Sequence, residues 1–235
     1  MTFPIVSVPH FDSGGGSPYA TALRSGGGML RMVDHDGAPG APVELSRFLA
    51  AADDADRSVL DRASGAILDV GCGPGRMVRA AIVSGHLSLG VDVSDAAVAH
   101  AHAQGLPVLH RSVFDAVPRE GEWGTALLLD GNIGIGGDPS ALLARCASLV
   151  QPGGAVIVEV HPDPHRNRGF QATLIDHEGR ASLPFPWYEI GLNGLRRCAA
   201  DAVLHVGETW SRAGRVFAVL RRGMPVVGAG AVTEA

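Results

Sequence analysis

The chain has 235 residues, of which 46% are apolar and 5% aromatic, with 32 glycines and a formal net charge of −5. That length suits one domain with a sizeable core, and the composition fits a loop-rich α/β chain rather than a fibre or a disordered polymer. The negative balance offers no general attraction to nucleic acid or anionic lipid, and neither a membrane-length apolar run nor a signal peptide is visible, so a cytoplasmic protein without nucleic-acid or membrane partners is expected.

In chain order, Pro4, Pro9 and Gly14-Gly15-Gly16 make residues 1–17 an arm expected to be at least partly mobile. Met29 to Val33 is a candidate strand with Asp36-Gly37 as its turn, and residues 43–50 carry apolar positions at helical spacing. Asp53 or Asp54 caps a second helical piece containing Val59 and Leu60. From Ala66 the pattern alternates. Strands are expected at 66–70, 87–91, 106–110, 123–130 and 155–160, with helices at 76–84, 96–104 and 140–150. Ser94 or Asp95 is the cap of the 96–104 helix. Such alternation implies a parallel sheet with right-handed crossovers. Beyond Val160 a polar, proline-broken loop covers 161–168. Residues 170–175 and 181–183 read as a hairpin over the cleft, Pro184 to Glu189 as a rigid aromatic stretch, and 195–200 as a short helix. A terminal hairpin of 202–210 and 215–220 turns at Ala213-Gly214, followed by a flexible tail at 222–235.

The centre of this arrangement is the turn Gly71-Cys72-Gly73-Pro74-Gly75 between a strand and a helix. Glycine permits a sharp turn and close approach of backbone to ligand, and the helix N-terminus after it favours anionic or polar groups. Asp92 lies 21 residues after Gly71 at the end of the next strand, where a carboxylate can accept hydrogen bonds from ribose hydroxyls. A phosphate loop would need GxxxxGK[ST], and all 19 basic residues here are arginine. The missing lysine also excludes Schiff-base chemistry. A dinucleotide fingerprint would need GxGxxG, whereas the third glycine here arrives one residue early, which disfavours NAD and FAD. Cys72, Cys146 and Cys198 show no CxxC spacing, which points to reduced thiols rather than a disulfide framework or a zinc site.

Leu-Asp-Val-Gly-Cys-Gly-Pro-Gly at 68–75 resembles the first motif of the class I S-adenosylmethionine-dependent methyltransferases almost letter for letter. Gly90-Val91-Asp92-Val93-Ser94 is similar to that family's ribose-binding acidic motif. Leu149-Val150-Gln151-Pro152-Gly153-Gly154, followed by the strand from Ala155, resembles its PGG motif. The resemblance covers roughly residues 60–160. It implies a doubly wound, three-layer α/β/α Rossmann-like fold with a seven-stranded mixed sheet, six strands parallel and one antiparallel at the C-terminus. It further implies S-adenosyl-L-methionine as cofactor and S-adenosyl-L-homocysteine as product. The cofactor residues it implies are Asp69, Gly71, Gly73, Gly75, Asp92, Val93, Ser112, Val113 and Asp130, with Tyr19 reaching the methionine moiety. A serine stands at 112 where the family usually has an acidic residue. The organisation that follows is an N-terminal arm with cap helices at 1–64, a cofactor domain at 65–221 with a cap insertion at about 161–200, and the tail.

The expected reaction is in-line methyl transfer to O or N of a small molecule, by a monomer or homodimer, in which the protein supplies mainly proximity and alignment. A hydroxyl acceptor needs a base, and His161 and His165 follow the fifth strand of the sheet at its active edge. With Asp163 they lack a third ligand at recognisable spacing, so no metal is expected. Asn132 and the Gly131–Gly137 loop either present polar groups to a ligand or simply connect elements. His35, His177, Arg166 and Arg168 either bind an anionic substrate or are solvated charges. Methylation of RNA or protein, and cofactor binding without catalysis, are the competing readings. No NPPY-like motif follows the fourth strand, where Asp130-Gly131-Asn132-Ile133 stands, which argues against nucleic acid.

Overall fold

The computed structural model describes residues 9–14, 17–34 and 42–224. The expected mobility of residues 1–8 and 15–16, the Asp36-Gly37 turn and the tail beyond 224 lie outside the described residues. The N-terminal part contains α1 (Pro18–Arg24), β1 (Met29–Asp34), β2 (Pro42–Glu44), α2 (Leu45–Leu49) and α3 (Asp54–Leu60). α1 begins at Ser17, whose hydroxyl accepts from Ala20 N at 3.1 Å, and the Asp12 carboxylate accepts from Tyr19 N and Ala20 N at 3.2 Å each. α3 carries a reciprocal capping box between Asp53 and Asp56.

The core follows as β3 (Ile67–Val70), α4 (Arg76–Val83), β4 (Ser88–Asp92), α5 (Asp95–Ala103), β5 (Val108–His110) and β6 (Trp123–Leu128). A 3-10 helix (Asn132–Gly137) leads to α6 (Pro139–Leu149) and β7 (Val150–Val160). Ser94 caps α5 and Asp138 caps α6, each side chain accepting from the backbone three residues on. β8 (Asn167–Ile175), β9 (Phe185–Ile190), α7 (Leu192–Asp201), β10 (Leu204–Arg212) and β11 (Arg215–Arg222) complete the chain.

Seven strands form one sheet in the order β10-β11-β7-β6-β3-β4-β5. β11 alone runs against the other six. This is the expected mixed sheet of a Rossmann-like fold. The central strands are buried on both faces and read as continuous apolar runs. Ile67, Leu127 and Ile157 face α3 and α4, whereas Leu68, Leu128 and Val158 face α6 and α7. Side chains alternating across the sheet thus build two cores and three layers. Strand order reverses between β3 and β6, so their C-terminal ends open a crevice at the topological switch point.

A second, antiparallel sheet has the order β2-β1-β8-β9. It joins strands that precede the core to strands that follow it, with Met32 opposite Leu174 and Phe170 opposite Trp187. The hairpin expected between 170–175 and 181–183 closes at its tip, where Asp176 N donates to Arg180 O at 3.1 Å, Ser182 N donates to Leu174 O at 2.9 Å and Ala181 bridges Ile175, and it extends further than expected, because β9 pairs with the rest of β8. Pro184 and Pro186 hide β9 in the sequence, but proline is tolerated on an edge strand, and β9 is one. Pro152-Gly153-Gly154 lies within β7, where the pairing with β6 jumps between Trp123↔Val150 and Thr125↔Ala155.

Candidate active site

At the switch point a cavity of about 560 Å³ opens between the two sheets. Its floor is the glycine turn. Gly71, Gly73 and Gly75 have φ of +68°, +54° and +91°, a region that side chains with a Cβ rarely adopt. A Cβ on Gly73 would lie 3.1 Å from the Tyr19 hydroxyl, so the turn and α1 approach as closely as glycine allows. Gly75 starts α4 with no side-chain cap, leaving the first N–H groups of the helix without a side-chain acceptor. Asn132 Nδ2 donates to Val70 O at 2.9 Å and to Gly71 O at 2.8 Å. Those Nδ2 donors therefore brace the turn and are not spare for a ligand.

Four carboxylates line the cavity, Asp69, Asp92 and Asp130 on its floor and Asp115 in the loop after β5. Asp92 accepts from Gly73 N at 2.7 Å and from Ser94 N at 2.8 Å, tying the turn to the end of β4. Burial raises its pKa, opposed by those backbone donors. A carboxylate has about four acceptor sites, so two remain for a ligand. Asp69 is buried, and its pKa is pushed up to about 8 by desolvation first and then by the charges of Asp130 and Asp92.

Asp130 has φ of +54° and is clasped by arginines from three elements. Arg76 of α4 pairs with it, Arg47 of α2 reaches it at 2.9 Å and Arg215 of β11 at 3.2 Å, while its own N–H donates to Glu159 at 2.7 Å. Arg76 (3% exposed) also pairs with Asp56 (1% exposed), and Arg215 pairs with Asp56 at 2.8 Å and Glu159 at 2.6 Å. Burial lowers the pKa of Arg76, against the pull of Asp130. For Arg215 burial acts in the same direction, but the hydrogen bond and charge of Glu159 outweigh it and raise the pKa.

The loop after β5 brings Ser112 and Val113 to the cavity, Val93 lines it after β4, and Tyr19 reaches it from α1. Gly75 lies just behind the lining. The remaining wall is mainly apolar, with His10, Arg111 and Asp115 as its polar members. Phe11 packs at 5.1 Å from Tyr19, 5.5 Å from Phe185 and 5.9 Å from Trp187, ring centre to ring centre, and Met32, Phe48, Phe114 and Ile135 extend that surface. The Gly-rich loop has a packing role: a Cβ on Gly134 would lie 2.4 Å from Tyr188 O and 2.7 Å from the Trp187 ring, so only glycine lets β9 seat there.

Neither His161 nor His165, the expected bases, lines the cavity. His161 Nδ1 accepts from Asp163 N at 3.1 Å, His165 Nδ1 lies 3.3 Å from Asn193 Nδ2, and their loop is tied to the β9–α7 junction through Gly191 N to Arg166 O at 2.7 Å and Asn193 N to Pro164 O at 3.1 Å. The proposed anion site likewise does not assemble. Arg166 pairs with Glu189, Arg168 with Asp34, and His177 lies beside Glu178, all away from the cavity lining, while His35 is outside the described residues. Sequence reasoning missed His10, Phe11 and the arginine–carboxylate network. The network did leave a trace: Glu159 and Arg215 are charges set inside apolar strands, a pattern that signals buried pairing.

A family model described as "Methyltransferase domain" matches residues 43–184. Over 117 residues the chain is 30% identical to a ubiquinone biosynthesis O-methyltransferase of Methylococcus capsulatus; the match covers 46% of this chain and 46% of that protein, so it spans about half the length of the curated relative. A SAM-dependent methyltransferase from Bacteroides fragilis, crystallised with S-adenosyl-L-homocysteine, superposes with a TM-score of 0.73 at 20% identity over 92% of this chain and 98% of that one. The 1,6-didemethyltoxoflavin-N1-methyltransferase of Burkholderia thailandensis superposes with a TM-score of 0.54 at 18% identity, over 72% and 79%. At these identities the two structures speak for the fold.

Proposed function

This chain belongs to the methyltransferase-domain family, and from that premise we propose that it transfers the methyl group of S-adenosylmethionine to an oxygen of a small, largely apolar molecule. The observation that carries this reading is a single cavity with the glycine turn and three carboxylates on one side and an aromatic wall on the other. The residues fit the cofactor's chemistry. Asp92 would accept the ribose hydroxyls, the 112–113 loop would border the adenine, and Asp69 with Asp130 would face the cationic amino-acid end, near Tyr19 and the turn at Gly71, Gly73 and Gly75. When bound, the cofactor supplies a methyl group on a sulfonium, a leaving group that needs no activation by the protein. The chain's own part is to align the acceptor and exclude water.

Two observations favour a neutral acceptor. Arg76, the buried arginine of the floor, is already neutralised by Asp56 and Asp130, and Arg111 turns one N–H away to Ala116 O at 2.6 Å. Most of the rest of the wall is ring and aliphatic carbon, suited to a largely apolar compound, with His10, Ser112 and Asp115 as its polar side chains. The O-methyltransferase relative agrees with oxygen as acceptor. The net charge of −5 gives no support to nucleic acid as acceptor.

Calorimetric titration with S-adenosylmethionine, S-adenosylhomocysteine and NAD tests the reading. The adenosyl ligands are expected to bind with Kd on the order of micromolar, about −8 kcal/mol. Asp92→Ala is expected to weaken both by at least about tenfold, ~1.4 kcal/mol, and NAD to give no heat. Tight NAD binding, or silence from all three, overturns it.

A further inference from the structure

Among the described residues, His10 is the histidine that lines the cavity, and it belongs to neither the cofactor turn nor the ion network. Its main chain is held by the three residues that follow it. His10 N donates to Ser13 Oγ at 2.7 Å, the Ser13 hydroxyl donates to His10 O at 2.6 Å, and Ser13 N donates to the same oxygen at 2.9 Å. The Phe11 ring is locked among Tyr19, Phe185 and Trp187, and Asp12 is fixed to the start of α1. The imidazole Nδ1 lies 3.0 Å from Phe11 O. A carbonyl oxygen can only accept, so in the neutral ring Nδ1 carries the hydrogen and Nε2 carries the lone pair. The carboxylates of the floor are poor competitors for this role. Asp130 is neutralised by three arginines, and Asp92 accepts two backbone N–H groups. Asp69 is buried in the floor and holds its proton, its pKa pushed up to about 8 by desolvation and the neighbouring carboxylates, which leaves Asp115 as the other carboxylate of the lining to compare with His10.

We propose that His10 is the general base of the reaction and that the acceptor is a hydroxylated aromatic compound, a phenol, stacked against the wall formed by Phe11, Phe185 and Trp187. The proposal rests on the methyl-transfer reading above. The phenolic O–H proton passes to His10 Nε2, the oxygen lone pair forms the new O–C bond to the methyl carbon, and the C–S bonding pair stays on sulfur. Sulfur becomes a neutral thioether, and the imidazolium, which is exposed at the cavity mouth, gives its proton to water. The aromatic wall supplies ring–ring contact without charge, which suits a planar neutral acceptor.

The probe is 4-nitrocatechol, whose absorbance reports its ionisation, titrated from pH 5 to 9 into the full-length chain saturated with S-adenosylhomocysteine. The expected result is saturable binding with the bound phenol ionising at lower pH than the free one. His10→Gln is expected to remove that shift while S-adenosylhomocysteine affinity stays within about twofold, which also shows that the variant is folded. With S-adenosylmethionine, methylation of the same probe should fall by about 10²–10⁴ in kcat in His10→Gln, the range for loss of a general base, with KM for the cofactor unchanged and the acidic limb of the pH profile lost. Asp115→Asn should keep both signatures. An unchanged titration in His10→Gln, loss of the signature in Asp115→Asn instead, or a chain that binds S-adenosylhomocysteine but not the phenol overturns the proposal. A chain that binds no S-adenosylhomocysteine overturns the methyl-transfer reading beneath it.

Discussion

Asp69 keeps its proton across most of the neutral range because burial and two neighbouring carboxylates disfavour its anion, with a pKa of about 8 against an ordinary 3.8. A carboxyl whose folded pKa is raised contributes stability that is fully present below the unfolded value and is lost as pH rises through the folded one. The ligand-free protein is therefore expected to lose stability between pH 4 and about 8, and Asp69→Asn should flatten that decline in thermal unfolding. Ligand cations reverse the balance, because a positive charge beside Asp69 favours its ionised form. Binding of S-adenosylmethionine at pH 7 is expected to release close to one proton, read as a dependence of calorimetric heat on buffer ionisation enthalpy. Asp69→Asn should abolish that dependence. An unchanged buffer dependence in the variant would reject this account of Asp69.

At the level of elements, β9 is the piece on which the aromatic wall of the cavity depends, since it carries Phe185 and Trp187 and sits on the Gly-rich 3-10 segment. Gly134→Ala would set a methyl 2.4 Å from the Tyr188 carbonyl oxygen. The expected cost is about 1–3 kcal/mol in denaturant unfolding, the range for overpacking, together with weaker binding of apolar acceptors. The same strand marks the limit of what the sequence discloses. Core strands such as Ile67–Val70 and helices such as Pro139–Leu149 are written locally, in apolar runs and capping residues, and the glycine turn carries its own motif. The second sheet is not local: β1 pairs with β8, far along the chain, and two prolines conceal β9. His161 and His165 follow the correct strand, yet the backbone bonds that draw their loop to α7 depend on Gly191, whose Cβ would fall 2.1 Å from Asp163 O. That contact has no period or spacing by which to foresee it.

Over the whole molecule, Arg215 links the last strand to the N-terminal helices. Its guanidinium meets Glu159 of β7, Asp130 after β6 and Asp56 of α3 at once, while being only 10% exposed. Arg215→Met leaves buried carboxylates without their partner and is expected to destabilise by about 3–5 kcal/mol, as for other broken buried pairs. Adding Glu159→Met should recover part of that loss, and the coupling between the two changes, measured by a double-mutant cycle, should be at least about 1 kcal/mol. Additive effects would mean that the pair is not coupled. The split origin of the second sheet has a further consequence, during synthesis. Residues 29–34 and 42–44 leave the ribosome well before residues 167–175, their pairing partner. At 5–20 residues per second, the apolar faces of Leu30 and Met32 wait on the order of ten seconds for Leu174 and its neighbours. The second sheet thus closes only after residues 167–190 have emerged, with β10 and β11 of the main sheet following later still, and a chain stalled before that point would expose the apolar faces of Leu30 and Met32 to chaperones and aggregation.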